Sequence, residues 1–171
     1  MYHRVSGTKR IVTTALFASL IFLFTAYFLH IPVGSSGGYI HLGDSLIYIA
    51  ASLMPFPDAL FAAAIGAGLS DIITGSAAWA PATIVIKPLM ALMFTASWTD
   101  IKKSRRNMAS AVAAGLLGTA LYFFYEWALY GLPAAVADMP MNLVQAGGSA
   151  AVYYAFAFIC AKPVKDRMFR G

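Results

Sequence analysis

Four ionisable side chains stand inside the most apolar stretches of the sequence, where they could bind a polar ligand. Asp44, Asp71 and Glu126 are acidic, Lys87 opposes them, and His41 stands just before Asp44. If these stretches cross a membrane, each charge costs at least ~2.5–3.5 kcal/mol on insertion scales, so such groups usually face a cavity or a partner. The residues therefore either line a binding cavity or form a simple interhelical ion pair, Asp71 with Lys87, in its wall.

Aromatic and amide side chains add hydrogen-bonding and stacking capacity at the same predicted depth. Tyr48 lies one helical turn after Asp44, and Trp79 lies in a proline-containing loop. Asn142 and Gln145 are spaced i, i+3 and share one helix face. An amide pair on an apolar helix needs hydrogen-bond partners, which a bound polar heterocycle or another helix supplies. For the aromatic residues, an interfacial belt at the membrane surface is the competing interpretation.

The balance of charge in this set indicates which ligands are disfavoured. Three acidic groups against one lysine argue against a phosphorylated or carboxylated ligand, and favour a neutral or cationic ring stacked on Trp79 or a tyrosine. Motifs of metalloproteases, thiol redox enzymes and phosphate-binding loops are absent. His3, His30 and His41 lack metal-ligand spacing on one helix. We therefore predict no catalytic residue, no metal and no cofactor.

The elements that position these residues are predicted by the distribution of positive charge. Eleven of the twelve Lys and Arg residues fall into three clusters, at 4–10, 102–106 and 162–170. This is the positive-inside pattern of a multi-pass cell-membrane protein. Charged residues make up 11% of the chain, against about 25% in soluble domains. The net charge of +5 therefore indicates contact with the lipid headgroups on the cytoplasmic side and not binding to nucleic acid.

The apolar segments predict a single all-α domain over 1–171 with six transmembrane helices and both termini cytoplasmic. A membrane helix needs about 20 apolar residues, and proline and glycine clusters separate the segments. The first segment is longer than the core of a signal peptide, so we expect a retained anchor. The predicted outer loops 31–42, 75–81 and 131–140 contain no Lys or Arg. The helices are predicted at 11–29, 43–54, 58–74, 82–98, 108–130 and 141–161.

Small residues recur at helical spacing on several of these segments. The first helix carries Thr14, Ala15, Ala18 and Ser19 on one face. Small-xxx-small faces let helix backbones approach closely in lipid, where the hydrophobic effect gives little drive for association. Packing within the bundle explains most of these faces, and for the first helix an external partner helix is the open alternative.

Three motifs in a fixed order carry a resemblance to a known family. They are 38–44 (GYIHLGD), 65–71 (IGAGLSD) and 79–87 (WAPATIVIK). The chain resembles the substrate-binding subunits, or S components, of energy-coupling factor (ECF) vitamin transporters. Within them it is most similar to the branch assigned to hydroxymethylpyrimidine, pyridoxine and related compounds. The motifs cover about the middle 50 residues, and Pro88 stands where we expect glycine in relatives.

The resemblance implies a subunit that captures a vitamin from outside and has no catalysis of its own. It implies docking on a membrane coupling subunit, carried by two cytoplasmic ATPases, through Thr14, Ala15, Ala18 and Ser19. It also implies that loops 31–42 and 75–81 cover the substrate. The complete substrate-binding set that we predict is His41, Asp44, Tyr48, Asp71, Trp79, Thr83, Lys87, Tyr122, Glu126, Asn142 and Gln145.

Two other classes of protein fit the same residues. A small integral membrane enzyme would use Asp44, Asp71 and Lys87 for acid–base chemistry near the outer interface. A non-transporting assembly subunit would use its buried polar residues only to hold helices together. Retention of a vitamin by the purified protein favours the transport hypothesis over both.

Overall fold

The computed structural model describes residues 7–28, 30–33, 38–94 and 105–160. Within them the chain forms six helices, which confirms the predicted all-α fold. A short antiparallel hairpin, which was not predicted, pairs β1 (Ile31–Val33) with β2 (Gly38–Ile40) inside the first predicted outer loop. The basic residues at 4, 102, 103 and 162–170 lie outside the described residues. The helices are α1 (Gly7–Ala26), α2 (Gly43–Leu53), α3 (Phe56–Ile73), α4 (Ala80–Leu92), α5 (Arg105–Tyr130) and α6 (Leu132–Cys160).

Three of the described helices, α1, α3 and α5, are long and apolar enough to cross a membrane. The helices α2 and α4 are apolar but shorter, with 11 and 13 residues. Ten of the 11 residues of α2 are buried, because this helix contacts α1, α3, α4 and α6. The shortest helix is therefore surrounded by four of the other helices.

The last helix differs most from its predicted bounds. It begins at Leu132, so all but the first residue of the segment 131–140 that was predicted as an outer loop is helical, and Pro140 lies inside the helix. The break falls instead at Gly131, whose φ of +88° is in the left-handed region that favours glycine. One residue therefore separates α5 from α6. The helix α4 ends at Leu92, before its predicted end at Trp98, and residues 95–98 lie outside the described ranges.

Small residues bring α1 and α3 into close contact. A Cβ atom added at Gly66 would lie 2.5 Å from the carbonyl oxygen of Ala18 and 2.9 Å from Cβ of Ile21. A Cβ added at Gly115 of α5 would lie 2.8 Å from Cβ of Ala146 in α6. At these positions the small residues serve packing within the bundle, as the simpler interpretation of their spacing predicted.

Gly66→Ala is expected to lower the free energy of unfolding by about 1–3 kcal/mol, because the new methyl group overpacks a contact with main-chain atoms. Gly147→Ala is the matched control on α6, since an added Cβ there has nothing within 4 Å. Thermal denaturation of both variants in detergent measures the difference. Equal melting temperatures would show that α1 and α3 do not pack as described.

Candidate functional site

One end of the bundle holds a polar cavity of about 50 Å³. This is several times the roughly 10–15 Å³ that a water molecule needs. The hairpin, the turn before α4 and the helices α3, α4, α5 and α6 all contribute to its wall. Nine of the eleven predicted substrate-binding residues line it: His41, Asp71, Trp79, Thr83, Lys87, Tyr122, Glu126, Asn142 and Gln145.

A buried ion pair forms the floor of this cavity. Nζ of Lys87 lies 2.6 Å from Oδ1 of Asp44, and the two side chains are 2% and 3% exposed. Gln145 donates to the other carboxylate oxygen of Asp44 at 3.0 Å. Asp44 thus lines a small adjoining space instead of the main cavity. The predicted alternative pairing of Lys87 with Asp71 is wrong, because α2 places Asp44 directly against Lys87.

Tyr122 and Thr83 hold the lysine from the side of the cavity. The ammonium of Lys87 lies 5.0 Å from the ring centroid of Tyr122, within cation–π range. The hydroxyls of Tyr122 and Thr83 are 2.8 Å apart and share a hydrogen bond between α5 and α4. Pro88 lies inside α4 and leaves Lys87 buried at the cavity. The charge of Lys87 is therefore compensated before any ligand binds.

Asp71 is bound on one side only. The hydroxyl of Tyr39 donates to Oδ1 of Asp71 at 2.5 Å and lies 3.2 Å from Oγ of Ser70, which fastens the hairpin to α3. Oδ2 of Asp71 is buried and has no hydrogen-bond partner, although the residue is only 5% exposed. Buried polar atoms are nearly always hydrogen-bonded in folded proteins. This oxygen is therefore an acceptor that a ligand can satisfy.

Trp79 supplies an aromatic wall with an unused donor. Its ring centroid lies 6.0 Å from that of Tyr122, 5.9 Å from that of Tyr125 and 6.1 Å from that of Tyr130. The indole is 8% exposed, and its Nε1 has no hydrogen-bond partner. Since an indole N–H only donates and lies in the plane of the ring, Trp79 can donate from its edge to an acceptor in the cavity.

His41 is held as a neutral imidazole at the turn between β2 and α2. Its main-chain N–H donates to Oε1 of Gln145 at 3.1 Å, and its Nδ1 accepts from the main-chain N–H of Gly43 at 3.0 Å. Burial lowers the pKa of His41, with the nearby Lys87 acting in the same direction. The imidazole therefore brings no positive charge to the cavity at neutral pH.

Tyr48 is the predicted residue that the structure keeps away from the cavity and from the adjoining space around Asp44. It is fully buried one turn further along α2, stacked on Phe94 with ring centroids 5.1 Å apart and edge-on to Tyr153 at 6.1 Å. Its surroundings are the apolar core of the bundle. Tyr48 shares a helix face with Asp44 but does not reach the cavity, because the cavity ends at the ion pair between Asp44 and Lys87.

Two lining residues, Tyr39 and Asp138, were missing from the predicted set. Tyr39 lies within the 38–44 motif, which was the signal that could have included it. Asp138 was missed because 131–140 was interpreted as an outer loop. As part of α6 it instead reaches the cavity.

The small residues of α1 line a second feature, a surface groove of about 730 Å³ between α1 and α3. Ala15 and Ser19 are exposed, while Ala18 is buried against α3. At one end, Arg10 forms a bidentate ion pair with Asp58, at 2.9 and 2.8 Å. The remaining residues of the groove are Gly7, Ile11, Thr14, Phe22, Phe61, Ile65 and Leu69.

Six largely apolar helices, four of which line a polar cavity, indicate an integral membrane protein with a site for a small molecule. The chain belongs to the family described as the ECF-type riboflavin transporter, S component, whose model matches residues 5–162. It is therefore a substrate-binding subunit of an ECF transporter and works with an ECF module on a small-molecule vitamin. The family is one of transporter subunits and not of enzymes.

A curated relative is similar over most of the chain. It is a protein of Pyrococcus woesei named "Uncharacterized protein in gap 3'region", 30% identical over 122 residues. The matched segment covers 71% of this chain and 82% of the relative. No solved structure matches this chain. The resemblance to S components is confirmed at the level of the family, while the hydroxymethylpyrimidine and pyridoxine branch is not confirmed by the match.

Proposed function

We propose that this chain is the high-affinity capture subunit of an ECF importer for a single-ring heterocyclic vitamin or vitamin precursor, of the hydroxymethylpyrimidine or pyridoxine type. The observation that carries the proposal is the polar cavity, which leaves a buried acceptor at Asp71 and a buried donor at Trp79 unused. A heterocycle with a ring acceptor and an exocyclic donor satisfies both atoms. A small volume also favours one ring over the three fused rings of riboflavin, which the family's name makes the second candidate.

The proposed contacts follow from the lining of the cavity. Trp79 donates from the edge of its indole to the ring acceptor, Asp71 accepts from the exocyclic donor, and the amides of Asn142 and Gln145 complete the polar wall. At the floor of the cavity, Asp44 holds Gln145 by a hydrogen bond, and Lys87 holds the ring of Tyr122 by a cation–π contact. The hairpin and the turn before α4 cover the ligand, because Tyr39 and Trp79 belong to them.

An orientation with the cavity outside and both termini inside is part of the proposal. Lys9 and Arg10 begin α1, and Arg105 and Arg106 begin α5. Both helices run from these basic ends towards the end of the bundle that holds the hairpin and Trp79. The cavity therefore lies opposite these four basic residues, which the positive-inside rule places in the cytoplasm.

The α1–α3 groove is the proposed docking surface for the membrane coupling subunit, which the two cytoplasmic ATPases carry. Its floor of Thr14, Ala15, Ala18 and Ser19 has little side-chain bulk, and the α3 residues Phe61, Ile65 and Leu69 form an apolar wall. A helix of the partner can approach such a floor closely and gain dispersion contacts, and the charges of the groove, Arg10 and Asp58, are paired with each other at one end.

Vitamin uptake by cells tests the proposal. The chain is co-expressed with a coupling subunit and two ATPases in cells that lack vitamin uptake, and labelled hydroxymethylpyrimidine, pyridoxine and riboflavin are offered in turn. We expect accumulation of one single-ring compound that requires both this chain and ATP hydrolysis. Uptake of riboflavin alone would show that riboflavin, and not a single-ring compound, is the substrate. A folded, assembled complex that accumulates none of the three would overturn the proposal.

The two competing classes give different outcomes in the same cells. An integral membrane enzyme would convert a lipid or headgroup substrate without the ATPases. An assembly subunit would form the complex but would neither bind nor accumulate a vitamin. Each result is distinct from ATP-dependent uptake.

A further inference from the structure

The first half of α1 contributes no buried side chain to the bundle. None of residues 7–16 is buried. The buried residues of the helix all lie in its second half: Phe17, Ala18, Ile21, Thr25 and Ala26. At 1.5 Å per residue, the first half is about 15 Å long. A helical segment of this length without buried side chains needs other contacts to fix its position against the neighbouring helix.

An ion pair supplies such a contact. Arg10 donates through Nε and Nη2 to the two carboxylate oxygens of Asp58, at 2.9 and 2.8 Å. Asp58 lies in the first turn of α3, and its side chain is 12% exposed, against 44% for that of Arg10. Two hydrogen bonds between a planar guanidinium and a carboxylate fix direction as well as distance. The pair therefore ties the first half of α1 to the beginning of α3.

A second contact between the same helices lies further along both of them. An added Cβ at Gly66 would lie 2.5 Å from the carbonyl oxygen of Ala18, so the helices meet there almost at their main chains. The groove residues Ile11, Thr14 and Ala15 lie between this contact and the ion pair. Two fixed points on each helix set the direction of the first half of α1 relative to α3, and with it the width of the α1–α3 groove.

The hydroxyl groups on the floor of the groove are already bonded within α1. Thr14 donates to the carbonyl oxygen of Arg10, and Ser19 donates to that of Ala15, both at 2.9 Å. Ser and Thr often bond in this way to the preceding turn of a helix. A partner helix therefore gains its affinity from the fit of apolar surfaces, and this fit depends on the width of the groove.

We infer that the Arg10–Asp58 ion pair preorganises the α1–α3 groove for the coupling subunit and thereby sets the affinity of docking, without contacting the partner itself. The inference rests on the docking surface in the proposed function and deepens it, because it assigns a role to two residues outside the small-residue floor. A groove that already has its bound shape need not be ordered when the partner binds, which raises affinity. An exposed ion pair adds little to the stability of a fold. Its loss is therefore expected to affect docking more than folding.

Affinity for the coupling subunit tests the inference. Full-length variants are titrated in detergent against the purified complex of coupling subunit and two ATPases that the uptake assay uses. We expect Arg10→Met and Asp58→Asn each to weaken binding at least about tenfold. Arg10→Lys keeps the charge but cannot form the bidentate pair, so it should weaken binding as well. Arg105→Met is the control, since Arg105 is exposed and does not line the groove, and it should leave the affinity unchanged.

Exchange of the two charges separates a link between the helices from a direct contact with the partner. Arg10→Asp combined with Asp58→Arg restores an ion pair at the same place with the opposite polarity. We expect this double variant to recover an affinity within about threefold of the wild type, as coupled positions do in a double-mutant cycle. If Arg10 instead bound the partner directly, an aspartate at this position would not replace it.

The width of the groove can be measured without the partner. Spin labels are attached at Val12→Cys and Phe56→Cys in a Cys160→Ser background. Both labelled positions are exposed and lie outside the groove, on α1 and α3. EPR spectroscopy of the isolated subunit should give one narrow distance distribution when the ion pair is present. Arg10→Met should shift or broaden this distribution.

Three results would overturn the inference: unchanged docking affinity in both Arg10→Met and Asp58→Asn, no recovery in a folded charge-exchange variant, or an unaltered label distance in Arg10→Met. Its failure is distinguishable from failure of the proposed docking surface, which Ala15→Trp tests. Loss of docking in Ala15→Trp together with full docking in Arg10→Met would leave the groove as the docking surface and remove only the role of the ion pair.

Discussion

Lys87→Met is expected to lower the free energy of unfolding by about 3–5 kcal/mol, because it leaves the carboxylate of Asp44 buried without its cation. The two side chains are 2% and 3% exposed, so water cannot replace the lost partner. Asp44→Asn is expected to destabilise the protein for the same reason, by leaving Lys87 unpaired. Denaturant titration in mixed micelles measures both changes.

The double variant separates loss of the pair from loss of one partner. Asp44→Asn combined with Lys87→Met removes both charges and should recover most of the stability, since a buried pair contributes little net free energy over uncharged replacements. Arg10→Met is the matched control at the ion pair with Asp58, where the arginine side chain is 44% exposed. There we expect a loss below about 1 kcal/mol. A loss for Lys87→Met no larger than for Arg10→Met would contradict the buried pair.

Ala15→Trp and Ser19→Trp are each expected to abolish uptake and co-purification with the coupling subunit. Both positions are exposed on the floor of the α1–α3 groove, and an indole there fills the space that a partner helix needs. Ligand binding by the isolated subunit should stay within about twofold of the wild type, because neither residue lines the cavity. Uptake assays, affinity purification and titration measure the three properties.

Leu16→Trp is the control for bulk on the same helix. Leu16 is 55% exposed and does not line the groove, so the same indole there faces away from the proposed partner. It should support normal uptake. Normal transport by the groove variants, or loss of binding as severe as the loss of uptake, would assign the small residues to packing within the bundle only.

The sequence predicted how far along its helix each polar residue lies, but not in which direction around the helix axis its side chain points. Asp44, Asp71, Lys87 and Glu126 stand at similar predicted depth, and the structure brings them to one end of the bundle. Which carboxylate meets Lys87 depends on how α2 and α4 are rotated against each other. Tertiary packing decides that rotation, so Asp44 could not be chosen over Asp71 from spacing alone.

The positions at which helices begin and end were the second feature that the sequence did not predict correctly. Pro140 was interpreted as part of a loop, but its place inside α6 is tolerated, and the break lies at Gly131. This single error removed Asp138 from the predicted site. The prediction that Tyr48 lines the site failed for a different reason. Helical periodicity predicts that Tyr48 shares a face with Asp44, but it does not show where the cavity ends.

Native mass spectrometry of the mildly purified protein tests most directly whether the cavity holds a captured ligand. The account predicts one small heterocycle per chain in the wild type and none in Asn142→Phe, whose larger side chain fills the cavity. The neighbouring Leu143→Phe is the control, since Leu143 is 43% exposed and does not line the cavity, and it should retain the ligand. A wild-type protein that carries no small molecule after growth in vitamin-rich medium, or an Asn142→Phe variant that retains it fully, would contradict the account.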